Sequence, residues 1–332
     1  MTPLPAPEAT RLSVAPMMDW TDRHCRVFHR LLAPHARLYT EMVHAQAVIH
    51  GDRERLLGFD PVEHPVALQL GGSDPAHLAE ATRIGADWGY DEVNLNVGCP
   101  SDRVQAGRFG ACLMREPSLV AECVAAMVAS SPVPVTVKCR LGVDEMDGYE
   151  VFRAFVDTVA TAGCGLFVVH ARKAWLQGLS PRENREIPPL RHDWVHRLKR
   201  ERGDLRILVN GGLATVEDSV AALAHVDGVM IGRAAYHEPY RLHLMDKAMF
   251  TPAAPARSRA DLLRSLRPYV EACRVRGIAV KHLTRHILGL FHAQPGGRAF
   301  RQVLSEGAPH ADAGWDLIER ALAMTERAER AA

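Results

Sequence analysis

From residue 11 to about residue 248, short β-branched or apolar runs alternate with longer stretches of helical periodicity. That is the strand-helix rhythm of a parallel sheet. The runs predict strands at Leu12 to Met17, Leu38 to Met42, Val66 to Leu70, Glu92 to Val97, Val133 to Cys139, Leu166 to Val169, Arg206 to Val209 and Gly228 to Ile231. Eight strands within roughly 240 residues match an α/β fold of the (β/α)8 TIM-barrel type, for which about 250 is typical. A doubly wound open sheet is the rival, but it normally carries a glycine fingerprint after its first strand. Here that strand runs into Ala15-Pro16-Met17-Met18. Polar residues also sit where a barrel collects its site, at the C-terminal ends of many strands. They are Glu41, Gln69, Asn96, Cys99, Lys138, Arg140, His170, Arg172, Asn210 and Arg233.

Residues 251 to 259, Thr-Pro-Ala-Ala-Pro-Ala-Arg-Ser-Arg, have linker composition. The expected organisation is a catalytic barrel over 1–250 and a smaller all-α domain over 255–332. Leu262, Leu263, Leu266, Tyr269 and Val270 share one helical face, followed by helical patterns over Ile278 to Phe291 and Trp315 to Met324. Between 257 and 301 the tail carries ten Arg and Lys against Asp261 and Glu271 alone, and it turns acidic after 303. Such a basic helical appendage is the footprint of phosphate-backbone contact, although a solvated helix face gives the same run.

Composition narrows the classes. At 332 residues, 47% hydrophobic and 24% charged, the chain has ample material for a core. Lys and Arg total 40 against 39 Asp and Glu, a formal net charge of +1. Any polyanion must therefore be held by a local patch. The N-terminus lacks a basic and apolar leader, and no apolar run reaches spanning length, so no membrane association is expected. Seven cysteines with no CxxC pair suit a reducing cytoplasm and give no reason to expect a metal site.

Asn210-Gly211-Gly212 after the seventh strand and Gly232-Arg233 after the eighth occupy the positions where barrels bind phosphate. Lys138 and Arg140 alternate on the fifth strand and so share its inner side. Lys138 could be a Schiff-base nucleophile, a fixed charge beside an anionic cofactor, or half of an ion pair with Glu41. Gln69 offers both a donor and an acceptor, suited to an amide-like heterocycle edge or to a simple polar cap. Cys99 lies in the loop Asn96-Val97-Gly98-Cys99-Pro100-Ser101 rather than in an apolar run. An ordinary thiol, near 8.5, is mostly protonated at neutral pH and can donate a proton. His170 is a candidate ligand contact.

Taken in order, Ala15-Pro16-Met17-Met18-Asp19-Trp20-Thr21-Asp22, Ala67-Leu68-Gln69-Leu70-Gly71-Gly72, Asn94-Leu95-Asn96-Val97-Gly98-Cys99-Pro100-Ser101, Val137-Lys138-Cys139-Arg140, His170-Ala171-Arg172, Asn210-Gly211-Gly212 and Gly232-Arg233 are a specific set. With them the chain resembles the flavin-dependent tRNA-dihydrouridine synthases over nearly its whole length. The segment from His170 to Pro181 is similar to the A-type subfamily. The resemblance implies FMN at the top of the barrel, with Pro16, Met17 and Met18 contacting the ring, Gln69 and Lys138 at its polar edge, and His170 near it. Asn210, Gly211, Gly212, Gly232 and Arg233 would hold the phosphate end. It implies NADPH-dependent reduction of the uridine C5=C6 bond in tRNA, at D-loop position 20 with the neighbouring 20a as a second candidate, and Cys99 as proton donor to C5. The helical domain would grip tRNA through Arg298 and Arg301. Asn96 would lie near the flipped base, Lys173, Arg182, Asn184 and Arg185 around the rim, and Arg140 would be a further RNA contact. A monomer with no obligatory protein partner is expected. A small-molecule FMN barrel acting on a free pyrimidine, a Lys138 aldolase and a tRNA chaperone without chemistry are the alternatives.

Overall fold

The computed structural model describes residues 4–146 and 148–331. Its frame is eight strands: β1 (Leu12–Val14), β2 (Leu38–His44), β3 (Val66–Gly71), β4 (Glu92–Val97), β5 (Val135–Cys139), β6 (Leu166–His170), β7 (Arg206–Asn210) and β8 (Gly228–Ile231). All seven ladders are parallel, in the order β1-β8-β7-β6-β5-β4-β3-β2. The ring closes between β1 and β2, where Val14 N–H donates to Arg37 O and Arg37 N–H to Leu12 O, both at 2.9 Å. The fold is thus the (β/α)8 barrel that the pattern predicts, and the doubly wound sheet is excluded.

Two strands are shorter than the hydrophobic pattern suggests. β1 stops at Val14 because Ala15 N–H makes a last bond to Ile231 O at 2.8 Å and Pro16 has no N–H to continue. β5 starts at Val135, since the Val133 N–H is taken by Ser131 Oγ at 3.2 Å in the preceding turn. Inside the barrel, Ala15, Tyr39, Ala67, Leu166, Val168, Leu208 and Met230 form an apolar cluster. The helices that follow the strands begin with recognisable caps. Asp74, for example, accepts from His77 N–H at 2.9 Å ahead of helix Pro75–Trp88.

The chain groups into two compact units. One comprises the chain up to Met18 together with Ala36–Gly232; the other comprises Asp19–His35 and everything from Arg233 onward. Composition alone sets the division at 250 to 255, and Thr251 to Ser258 indeed form neither helix nor strand. The different grouping has a packing cause. Helix Arg23–Leu32 places Val27, Phe28 and Leu32 in one apolar cluster with Leu263, Ile287, Phe300 and Leu322. His35 is tied to Asp246 by its backbone N–H and by its ring, each at 2.9 Å. Within this second unit helix Arg259–Arg264 starts on Ser258, whose hydroxyl accepts from Asp261 N–H at 3.0 Å.

Phe28 is 1% exposed in that cluster. Phe28→Ala should therefore cost about 3–5 kcal/mol by cavity formation. Val275→Thr, at a site 90% exposed, should change stability by no more than about 0.5 kcal/mol. Urea denaturation of the two variants checks both, and a wild-type midpoint for Phe28→Ala would remove this helix from the core.

Candidate active site

Because all eight strands run the same way, their C-terminal ends meet at one mouth. On β4 the inward positions are Glu92, Asn94 and Asn96, two residues apart and on one face. Their side chains join those of β3 and β5 in a continuous chain. Asn96 Nδ2 donates to Gln69 Oε1, Gln69 Nε2 to Asn94 Oδ1, and Asn94 Nδ2 to Thr136 Oγ1, each at 2.8 Å. Thr136 then donates to Glu92 Oε1 at 2.7 Å, as does Tyr39 at 2.6 Å. At the mouth, Asn96 Oδ1 accepts the backbone N–H groups of Gly98 and Cys99 at 3.1 and 3.0 Å. The Cys99 loop is thus fastened to the barrel interior by Asn96.

Cys99 is partly exposed, with Sγ 3.5 Å from Ser101 Oγ. Its carbonyl accepts from Ala111 N–H at 2.9 Å. The close return of the chain depends on Gly110, at φ +77°, where a Cβ would lie 2.6 Å from the Cys99 carbonyl oxygen.

Cations converge beside this loop. Lys138 Nζ donates to Asn210 Oδ1 at 3.2 Å, and Asn210 Nδ2 in turn donates to Met230 O at 2.7 Å. Burial, reinforced by the neighbouring Arg140 guanidinium, lowers Lys138 from 10.5 to about 8. Arg140 is itself buried and brought down to about 10, mainly by desolvation and also by Arg185 and Arg172. His170 is pushed well below its ordinary value by burial and by Arg140, Lys138, Arg172 and Arg185, so it stands as a neutral imidazole. Its ring lies against the glycine loop after β7. A Cβ on Gly211, at φ +100°, would come within 2.6 Å of His170 Cδ2. His192, at the start of helix His192–Glu201, holds the same loop through Nε2 and Gly211 O at 2.7 Å.

The other residues expected at the site fall into three groups. Pro16, Met17 and Met18 leave the C-terminal end of β1, with Met18 54% exposed. Gly212 continues the glycine turn at φ +76°, and Gly232, where a Cβ would meet only Ala15 Cβ at 3.9 Å, leaves open space after β8. Two residues expected to contact RNA, Asn184 and Arg140, make their bonds inside the protein. Asn184 is fully buried, its Oδ1 taking Trp175 N–H at 2.7 Å and its Nδ2 reaching Trp175 O at 2.8 Å and Leu179 O at 3.0 Å. Arg140 is a strut to the carbonyls of Gly98, Asn184 and Lys173 at 2.8, 3.0 and 3.2 Å. Lys173 and Arg182 are nearer the solvent, Lys173 Nζ lying 4.7 Å over the Trp175 ring and Arg182 3.7 Å from Glu186; Arg185 is exposed. Arg233, Arg298 and Arg301 belong to the second unit, the last two on helix Gly297–Gly307.

Sequence reasoning missed Glu92, Asn94, Thr136 and His192. For the first three a signal was present, since Glu92-Val93-Asn94-Leu95-Asn96-Val97 alternates polar and apolar in a strand whose two faces would both be apolar in an ordinary barrel. His192 carried none. Among the described residues, no cluster of three or more His, Cys, Asp or Glu could hold a metal, and no helix is long and apolar enough to cross a membrane.

A parallel barrel with a cationic mouth, a pinned cysteine loop and glycine turns after β7 and β8 has the layout in which (β/α)8 enzymes carry their active sites. Within that class, a family profile described as "Dihydrouridine synthase (Dus)" matches residues 13–329. A Xanthomonas campestris pv. campestris protein named "tRNA-dihydrouridine(20/20a) synthase" is 68% identical over 327 residues, covering 97% of each chain. Proteins of the same name from Synechocystis sp. and Vibrio cholerae are 55% and 54% identical, over 94% of this chain and 93% and 96% of theirs. The chain belongs to the dihydrouridine synthase family.

Lys138 generates a pH-dependent prediction. A lysine lowered to about 8 in the fold and near 10.5 when unfolded destabilises the fold below pH 8, a penalty that fades as pH rises through 10.5. Lys138→Met should therefore raise the melting temperature of the cofactor-free protein relative to wild type at pH 7, with the difference narrowing toward pH 10. A difference constant with pH would show that the ammonium is not held at a cost.

Proposed function

We propose that this chain reduces the C5=C6 bond of a D-loop uridine of tRNA to 5,6-dihydrouridine, with FMN as resident cofactor and NADPH as reductant. The targets are position 20 and its neighbour 20a, as in the names of the relatives, and the resemblance of the segment from His170 to Pro181 supports the A-type subfamily. The observation that carries this reading is the pairing, at one mouth, of a cationic pocket beside bare glycine backbone with a cysteine loop pinned by Asn96.

The donor set fits an anionic planar cofactor. Lys138 spends one N–H on Asn210 and keeps others for a ligand, and its charge favours an anionic ring. Gln69 retains one N–H and one lone pair beyond its bonds to Asn94 and Asn96, enough for a heterocycle edge. Gly232 has open space around it, Gly211 and Gly212 form the positive-φ turn after β7 packed by His170 and Leu190, and the two turns together would receive a phosphate, with Arg233 as its counter-charge. Pro16, Met17 and Met18 would line the ring, and His170, neutral, can approach it without competing for its negative charge. When bound, such a group supplies hydride to C6 of the pyrimidine. Cys99 then gives its proton to C5: the S–H bond breaks, a C–H bond forms and a thiolate remains.

A stacked uridine has to leave its helix to reach the mouth, at a cost of a few kcal/mol, which phosphate contacts on the second unit offset. Arg298 and Arg301 are three residues apart on one helix, hence on one side of it, and neither is ion-paired among the described residues. Lys173, Arg182 and Arg185 serve at the rim, while Asn184 and Arg140 shape that rim from beneath.

Visible spectra test the reading. The purified protein should show flavin bands that bleach anaerobically with NADPH and return with unmodified tRNA; a colourless protein that FMN cannot reconstitute would sink it. Cys99→Ala should keep flavin and NADPH bleaching while dihydrouridine formation falls about 10²–10⁴-fold, and normal product yield would remove Cys99 from the mechanism. Arg298→Ala and Arg301→Ala should weaken tRNA binding and lower the slope of log affinity against log salt by about one per lost phosphate contact. An unchanged slope would place the RNA elsewhere.

A further inference from the structure

The chain of side chains through the barrel has a direction fixed at both ends. At the mouth it begins with the backbone N–H groups of Gly98 and Cys99, which can only donate. At the closed end it finishes on Glu92, fully buried, whose Oε1 accepts from Thr136 and Tyr39 and whose Oε2 lies 3.4 Å from the Arg37 guanidinium. A carboxylate so placed only accepts. The Tyr39 phenol, buried next to it and raised well above its ordinary value, keeps its proton for that bond. Between the two ends every amide has one workable orientation. Reversing Gln69 would set its Nε2 against Asn96 Nδ2 and its Oε1 against Asn94 Oδ1, two repulsive contacts in place of two hydrogen bonds.

We infer that Glu92 is a positioning residue for the Cys99 loop: from the far end of the barrel its carboxylate sets the polarity of Thr136, Asn94, Gln69 and Asn96, and so delivers an acceptor, Asn96 Oδ1, to the Cys99 amide. A side-chain amide in its place both donates and accepts. The chain then has a second, reversed register in which Asn96 turns its Nδ2 toward the loop N–H groups and the loop is released. Among the described residues Thr136 is the side chain that joins Asn94 to the carboxylate, so its hydroxyl is equally required. Tyr39 bonds the same carboxylate oxygen and also reaches the Thr136 hydroxyl, but Asn94 makes its bonds to Thr136 and Gln69 and not to Tyr39.

The test is peptide-resolved alkylation of Cys99 by iodoacetamide in the folded full-length protein, a readout that depends neither on a flavin nor on RNA and so stands or falls apart from the proposed activity. Glu92→Gln and Thr136→Val should each change the Cys99 rate at least threefold, while Tyr39→Phe, which removes one hydrogen bond from the same carboxylate without cutting the chain, leaves it at the wild-type value. Wild-type rates in both Glu92→Gln and Thr136→Val would overturn the inference, and so would an equal change in all three variants, which would mean general loosening. Should Glu92→Gln not fold, Thr136→Val, which preserves shape, against Tyr39→Phe decides the matter on its own.

Discussion

A barrel interior that carries polar side chains has to satisfy each of them from within, because an orphaned buried donor or acceptor costs about 1–3 kcal/mol. Here five buried residues, Glu92, Thr136, Asn94, Gln69 and Asn96, bond one another in one line across β3, β4 and β5, and the one carboxylate oxygen left without a hydrogen bond, Glu92 Oε2, lies 3.4 Å from the Arg37 guanidinium. The parallel register makes the line possible, setting Gln69 beside Asn94 and Asn94 beside Thr136 as neighbours on adjacent strands. The line terminates on backbone amides of the loop after β4, so packing at the core and placement of Cys99 are one problem. A substitution deep in the barrel is therefore felt at its mouth.

The cationic mouth shows the opposite economy. Lys138, Arg140 and His170 are each pulled away from their charged forms by burial and by one another. Only Arg140 is consumed by the fold, through three carbonyls. The positive charges here are those of Lys138 and Arg140, neither of which has a carboxylate among the groups that shift it. Such an arrangement lowers stability in the empty protein, and a ligand that binds only the folded state restores it. Rigidity around the pocket comes from the strut Arg140 and from Asn184, which clamps the loop carrying Lys173 and Trp175 by its own backbone.

The fold was legible because strand periodicity is a local signal: Glu92 to Val97 and Gly228 to Ile231 are bounded in the structure as the pattern bounds them. The residues at the strand ends were legible too, since parallel topology alone collects them. Roles depending on contacts distant in sequence were not. Asn184 and Arg140 read as candidate RNA contacts in the sequence, yet a buried asparagine clamping Trp175 and a buried arginine bonded 42 residues away, to Gly98, are visible only once the loops are in place. The membership of helix Arg23–Leu32 in the second unit is of the same kind, since its partners lie more than two hundred residues further on.

Charge tallies were the least transferable signal. The basic run from 257 to 301 is largely spoken for within the second unit: Arg264 pairs with Glu319 and Glu326, Arg267 with Glu271, Arg285 with Asp22, and Arg259 lies 3.9 Å over the Tyr240 ring. Except for the Arg267–Glu271 pair within one helix, these contacts join separate segments of the second unit, and together they leave a smaller field than the count of arginines suggests. With a net charge of +1 and screening over about 8–10 Å in physiological salt, a polyanion meets little long-range attraction. Under the proposed function, RNA would be held by cations that make no ion pair among the described residues, such as Arg298 and Arg301, set three residues apart on one helix. Geometry rather than total charge would then decide which phosphates are held.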